Sequence, residues 1–393
     1  MPFGTFNYMN PTRIIFGRGQ IAKLGKMIPK DKTVLMLYGG GSIKRNGVYD
    51  QCKSALKDYE VAEFGGIPAN PEYTTLLKAI KLVKEIGPSK VFLLPVGGGS
   101  VIDGSKFVSV ATNYDSTKEP WHILETCGRY VKSSIPLGTV LTLPATGSES
   151  NSGAVISWKE KNLKMNFNTP YTFPLFSILD PETTFSLPPR QTSNGIIDSI
   201  IHICEQYVTN NFGADVQDRY SEALIKVLLD NGSKVLQNPT DYQLRANIMW
   251  AATQALNKWL SVGVPQDWST HMIGHEITAY KGLDHAQTLA CIQPSLYRYK
   301  MESKQQKLAQ LGERVFNIQQ GNTKQKAEKV IEQLEFFYHD ILKVETKLSN
   351  YPQCLDKQYI NEIKKKFTQN GVKLGEDKDI LPDDVVSIIN NAY

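Results

Sequence analysis

The chain has only six histidines in 393 residues, and four of them fall in two short stretches. In Asn194-Gly-Ile-Ile-Asp-Ser-Ile-Ile-His-Ile-Cys-Glu-Gln206, Asp198 and His202 are four positions apart. On a helix that spacing places both side chains on one face, one turn apart, where they can grip a single ion. The second stretch, Trp268 to Ala279 and on through Lys281-Gly-Leu-Asp-His285, repeats the spacing with His271 and His275 and adds His285. One carboxylate with two or three imidazoles suits a first-row divalent ion such as Zn²⁺ or Fe²⁺, whereas Mg²⁺ and Ca²⁺ call for more oxygen ligands. Spacing chooses neither between His271 and His275 nor between zinc and iron. His271-Met-Ile-Gly-His275-Glu276 has the histidine spacing of the zinc-protease helix H-E-x-x-H, but its glutamate follows the second histidine, so the protease base is missing and that reading fails. His122 and His339 stand alone and receive no role.

A second kind of chemistry is written in small residues. Gly97-Gly98-Gly99-Ser100-Val101-Ile102-Asp103 follows an apolar run and opens a helical pattern through Lys106, Phe107 and Val110. Backbone N–H groups at such a turn can approach a pyrophosphate, and the helix N-terminus adds partial positive charge. The run is not G-x-G-x-x-G, because Ile102 stands at the third glycine, and it lacks the P-loop lysine. The competing reading is a tight turn with Ser100 and Asp103 as a capping pair. Another turn, Gly39-Gly40-Gly41-Ser42, follows the first apolar run; no acid stands there for a ribose hydroxyl, and Ser42, Lys44 and Arg45 offer a hydroxyl and two cations for a 2′-phosphate, which favours NADP over NAD. Leu143-Pro-Ala-Thr-Gly-Ser-Glu-Ser-Asn151 supplies hydroxylated residues that can line a nicotinamide and its ribose.

The elements that must hold these residues divide the chain in two. Thr33–Tyr38, Lys90–Val96 and Gly138–Leu143 read as buried parallel strands, and Leu76, Leu77, Ile80, Val83 and Ile86 fall at helical spacing between the first two. From about Gln191 helix-compatible segments follow one another: Asp215–Val235, Tyr242–Val262, Lys304–Phe316 and Lys324–Leu342. The expectation is an α/β dinucleotide-binding domain over 1–188 and an all-helical metal and substrate domain over 189–393, divided near Leu187-Pro-Pro189, with a ligand cleft between them.

Composition narrows the class further. Hydrophobic residues make up 41% and charged residues 21%, enough to bury a large core, and the +5 formal charge comes from 44 basic and 39 acidic residues with no basic block, which argues against nucleic-acid binding. No apolar run nears the roughly 18 residues that span a bilayer, and the N-terminus has no secretory pattern, so a cytoplasmic protein is expected. The five cysteines are widely spaced without a Cys-x-x-Cys pair and read as reduced, buried thiols.

Taken in order, Tyr38-Gly-Gly-Gly-Ser-Ile-Lys44, Pro95-Val-Gly-Gly-Gly-Ser-Val-Ile-Asp103, Leu143-Pro-Ala-Thr-Gly-Ser-Glu149, Asn194-Gly-Ile-Ile-Asp198, Gly263-Val-Pro-Gln-Asp-Trp268 and Gly282-Leu-Asp-His-Ala286 resemble the iron-containing (group III) alcohol dehydrogenases over nearly the whole chain, and most closely their NADP-dependent aldehyde reductase and butanol dehydrogenase branch. The resemblance implies a dehydroquinate synthase-like fold. It implies Asp198, His202, His271 and His285 as metal ligands and moves His275 to the neighbourhood of substrate and nicotinamide, as a candidate proton relay. It implies pyrophosphate binding by Gly97, Gly98, Gly99 and Ser100, and cofactor contacts at Asp103, Thr142, Thr146, Asn151 and Lys164. NAD-preferring relatives carry an aspartate where Gly39 stands, so Gly39, Gly40, Ser42 and Lys44 are the expected NADP contacts, and a homodimer is the expected minimum assembly. The expected reaction is hydride transfer between NADP(H) and a primary alcohol or aldehyde at one Fe²⁺ or Zn²⁺. Two alternatives are a metal-dependent lyase of the dehydroquinate synthase type, for which no sugar-phosphate cluster of lysine and arginine is seen, and a non-catalytic metal-binding protein, which leaves the glycine turns without a purpose.

Overall fold

The structure, a computed structural model, describes residues 4–210 and 213–393. Its contacts divide the chain into two compact units that are not contiguous in sequence: Met9–Leu187 with Asn238–Thr253, and Pro188–Gln237 with Gln254–Tyr393 and the segment ending at Tyr8.

The first unit is built on a parallel sheet. Strands β1 (Arg13–Phe16), β2 (Thr33–Leu37), β3 (Val61–Phe64), β4 (Val91–Gly98) and β5 (Gly138–Leu143) are followed by the antiparallel pair β6 (Gly153–Trp158) and β7 (Leu163–Asn168) and by β8 (Phe176–Leu179). Six of them form one sheet in the order β1-β8-β5-β4-β2-β3, every neighbouring pair parallel. Alternation along β2 and β4 sends Val34, Met36, Phe92, Leu94 and Val96 into one apolar cluster and Leu35, Leu37, Val91 and Leu93 into another, so both faces are covered, as a parallel sheet requires. The helices Tyr73–Ile86 and Gly99–Ala111 contribute Leu76, Ile80, Val83, Phe107 and Val108 to the second cluster.

Strand order reverses between β2 and β4. The chain moves outward from β2 to β3, then returns to the other side of β2 as β4 and continues toward β5 and β8. The carboxyl ends flanking such a reversal are where open α/β sheets bind ligands, and here they carry Gly39–Gly41 and Gly97–Gly99.

The expected division into 1–188 and 189–393 needs two corrections, the first being that the segment ending at Tyr8 groups with the helical unit. The second is that residues 238–253 belong to the sheet unit. Met249 packs with Ile102, Leu141 and Leu179, Trp250 lies edge-on to Phe16, and the Arg18 guanidinium covers the Tyr242 ring. Their helical periodicity had grouped them with the helical half, because periodicity reports the element and not its packing partner.

The second unit is helical: Pro189–Tyr207, Asp215–Val235, Ser269–Lys281, His285–Tyr299, Met301–Arg314, Thr323–Phe336, Gln358–Gln369 and Pro382–Asn391. The helix Pro189–Tyr207 starts with proline at its first position, where the missing N–H costs no bond. Among the described residues no helix is long and apolar enough to cross a membrane. All five cysteines are free thiols, buried except Cys127.

Candidate active site

Three imidazoles converge on one carboxylate oxygen. His202 Nε2, His271 Nε2 and His285 Nε2 lie 3.7, 3.6 and 3.7 Å from Asp198 Oδ1. Asp198, His202 and His271 offer ligand atoms all within 4.8 Å of one another. These separations are too long for good hydrogen bonds but close to the roughly 3.4 Å between donors that share a tetrahedral ion at about 2.1 Å. His271 Nε2 is buried and has no hydrogen-bond partner. A divalent first-row ion meets both conditions, so the donor set fits one.

The local sequence explains why these atoms meet. Asp198 and His202 lie on the buried face of Pro189–Tyr207. Gly274 lets Ser269–Lys281 approach His285–Tyr299 closely, since a Cβ there would lie 2.7 Å from Leu289 Cδ2. Gly282 closes the first of these helices with a φ of 70°, the left-handed conformation that glycine adopts without strain. Asp284 then caps the next helix in a reciprocal box with Gln287, and Asn194 Nδ2 donates to Asp284 Oδ2 at 2.8 Å, tying the turn before His285 to the Asp198 helix.

The structure separates the two histidines that spacing alone left open. His271 faces Asp198, while the His275 ring packs 4.9 Å from that of His285 and 6.3 Å from that of His271. Burial alone would lower the His271 pKa, but the charges of Glu205 and Asp198 overcome it and push the imidazole up to about 9. Glu205 was absent from the sequence reading. Its Oε2 lies 2.5 Å from His271 Nδ1 and its Oε1 accepts the Thr270 N–H at 2.7 Å.

In the sheet unit, the glycines of the β4 turn are required first of all by packing. A Cβ on Gly97 would lie 2.6 Å from Val101 Cγ2, one on Gly98 2.9 Å from Leu143 Cβ, and one on Gly99 2.4 Å from Thr146 Oγ1. The capping-pair reading of this turn fails. Ser100 Oγ accepts the Asn70 N–H, and Asp103 turns away to accept Ser148 Oγ at 2.6 Å and the Val155 N–H at 2.9 Å. The helix N-terminus therefore has no side-chain cap.

The expected cofactor residues beyond the turn form a connected set. Asn151 Nδ2 donates to the Thr146 carbonyl, and Lys164 Nζ donates to Asn70 Oδ1 at 3.0 Å, which links Lys164 through Asn70 to Ser100. Thr142 is buried near the end of β5. Two residues escaped the sequence reading as contributors. Lys106 is fully buried and donates to the carbonyls of Asn151 and Gly153 and to Asn151 Oδ1, so it holds the hydroxyl-rich loop. Glu149 is buried with Oε1 accepting from Thr253 Oγ1. At the β2 turn, Gly41 has a φ of 86°, and Lys44 lies over the rings of Tyr38 and Tyr49, 3.7 Å from Glu63 Oε2. Ser42 and Arg45 are exposed beside it.

Comparison with known proteins gives the family. The family described as iron-containing alcohol dehydrogenase matches residues 11–181, and the C-terminal domain of the Fe-containing alcohol dehydrogenase family matches residues 192–393. The NADPH-dependent aldehyde reductase YqhD of Escherichia coli K12 is 51% identical over 96% of this chain and 97% of its own length. The crystal structure of E. coli K-12 YqhD superposes with a TM-score of 0.97 at 49% identity, covering 100% of both chains. A probable NADH-dependent butanol dehydrogenase of Bacillus subtilis is 38% identical over 98% of both chains. The chain belongs to the iron-containing alcohol dehydrogenase family. It is an oxidoreductase, which decides against the lyase and the non-catalytic binding protein.

Proposed function

We propose that this chain interconverts primary alcohols and aldehydes with NADP(H), holding one Fe²⁺ or Zn²⁺ with Asp198, His202, His271 and His285. The observation that carries the reading is the approach of three imidazole Nε2 atoms to one buried carboxylate oxygen. When bound, the ion supplies Lewis acidity to a carbonyl oxygen and NADPH supplies the hydride.

The chain's own residues orient and protonate. Gly97–Ser100 offer N–H groups of an uncapped helix N-terminus to a pyrophosphate. Asp103, Thr142, Thr146, Asn151 and Lys164 contact the cofactor, and Asp103 also braces the hydroxyl-rich loop through Ser148. Gly39 and Gly40 leave the β2 turn without an acid, and Ser42 and Lys44 accommodate the 2′-phosphate; the E. coli relative is NADPH-dependent, in keeping with this preference. His275, beside His285, passes a proton to the nascent alkoxide and takes one from solvent. Cytoplasmic location and a homodimer complete the proposal.

The test is aldehyde-dependent oxidation of NADPH, with butanal as the first substrate and NADH in parallel. The reading predicts turnover with NADPH, its loss to a chelator and its recovery with Fe²⁺ or Zn²⁺. Equal turnover with NADH would overturn the assignment of the β2 turn, and no turnover with any aldehyde would overturn the whole.

A further inference from the structure

We infer that Glu205 is a positioning residue of the metal centre, acting through His271. The inference rests on the proposal that the Asp198 cluster holds a divalent ion. Glu205 follows His202 by three residues on the helix that also carries Asp198. Positions 198, 202 and 205 therefore share one helical face, and all three side chains are buried.

From that face Glu205 reaches the helix Ser269–Lys281 and accepts two different donors there. Oε1 takes the N–H of Thr270 at 2.7 Å, one of the backbone donors that a helix N-terminus leaves without an internal partner. Oε2 lies 2.5 Å from His271 Nδ1. A carboxylate beside the first turn of a helix is also favoured by the helix dipole. The main chain repeats the connection, with the Asp267 N–H donating to the Glu205 carbonyl at 2.9 Å. Asp267 in turn accepts the Ser269 N–H at 3.0 Å, and between them Trp268 takes a φ of 64°, which sets its indole edge-on to the His271 ring.

The consequence for His271 is chemical. A carboxylate only accepts, so the imidazole nitrogen facing it must carry the proton. With Nδ1–H donated to Glu205, the lone pair is left on Nε2, the atom that points at Asp198. Glu205 thus selects the tautomer that can ligate and locks the ring plane, the arrangement by which outer carboxylates tune metal-bound histidines.

Glutamine at 205 cannot reproduce this. Two donors, Thr270 N–H and His271 Nδ1–H, need two acceptors, and an amide offers one oxygen and an NH₂. If the NH₂ faces His271, Nδ1 must accept, and the proton moves to Nε2, where the ion needs a lone pair.

The experiment compares full-length wild type, Glu205→Gln and His271→Ala, without substrate or cofactor, for Zn²⁺ affinity by competition with a chromophoric chelator. The Co²⁺-loaded proteins are compared by visible absorption. Glu205→Gln is expected to bind Zn²⁺ about 10–100-fold more weakly and to shift the Co²⁺ bands. Wild-type affinity and an unchanged Co²⁺ spectrum in Glu205→Gln, with metal lost from His271→Ala, would overturn the role of Glu205 alone. Wild-type affinity in His271→Ala would overturn the metal site itself. Should Glu205→Gln fail to fold, Zn²⁺-loaded wild type labelled with ¹⁵N-histidine carries the test. The His271 signals, assigned by their loss in His271→Ala, should show a protonated Nδ1 and a proton-free Nε2; a proton on Nε2 would overturn the inference.

Discussion

A buried carboxylate oxygen surrounded by three imidazoles is stable only if positive charge stands among them, because unpaired buried charge is strongly disfavoured. In the metal-free protein a proton on His271 can serve, consistent with its raised pKa, and an ion takes over that part when bound. His271 Nε2 faces Asp198 Oδ1, whereas the His275 ring packs on that of His285. His275→Ala should therefore keep its metal by elemental analysis while kcat falls about 100-fold and the pH profile loses a limb, the size of effect usual for a positioned acid-base group. An unchanged pH profile would remove His275 from the proton path. At this scale Asp198 and His202 were legible from their spacing alone. The preference for His271 over His275 was not, because both lie on one helix face and what favours His271 is the approach of its Nε2 to Asp198 on another helix. Glu205 carried no signal: a glutamate in a helix is ordinarily a solvated one.

The secondary-structure elements hold the chemistry through contacts that leave little slack. Gly99 stands so close to Thr146 that an alanine Cβ would fall 2.4 Å from Oγ1. Gly99→Ala should cost about 1–3 kcal/mol by thermal or urea unfolding and should weaken NADPH binding through displacement of Thr146. Glu149 makes a second test. Burial raises its pKa from the ordinary 4.5, and Oε2 has no hydrogen-bond partner. An acid whose folded pKa is raised favours folding only while neutral, so that contribution is present below the unfolded pKa and lost as pH climbs through the folded one. Glu149→Gln, neutral throughout, should exceed wild type in stability by about 1 kcal/mol at pH 7 and lose that advantage near pH 4, as followed by thermal unfolding. Strands β2, β4 and β5 were legible because each is a near-continuous apolar run. β1, β3 and β8 were not, since four residues are too few to show a period.

Across the whole molecule, sequence order and packing part company at 238–253, and the helical unit is held by charges that composition cannot locate. Lys304 is fully buried, with Nζ 2.8 Å from Asp267 Oδ2, 2.7 Å from Glu376 Oε1 and 2.9 Å from the Val208 carbonyl. It ties the turn before the His271 helix to a distant loop. Lys304→Met leaves two buried carboxylates without a cation and should lower the stability of the protein by about 3–5 kcal/mol in denaturant unfolding. A loss below 1 kcal/mol would show that water reaches this site. Nothing in the spacing of Asp267, Lys304 and Glu376 announces their meeting, because each lies on a different element. The central claim is that one ion at Asp198, His202, His271 and His285 makes this member of the iron-containing alcohol dehydrogenase family an aldehyde reductase. Metal-stripped enzyme titrated with Fe²⁺ or Zn²⁺, with NADPH oxidation by butanal followed at each addition, tests it most directly. The account predicts no activity at the start and a linear rise that breaks at one ion per chain, whereas full activity in the stripped enzyme would contradict it.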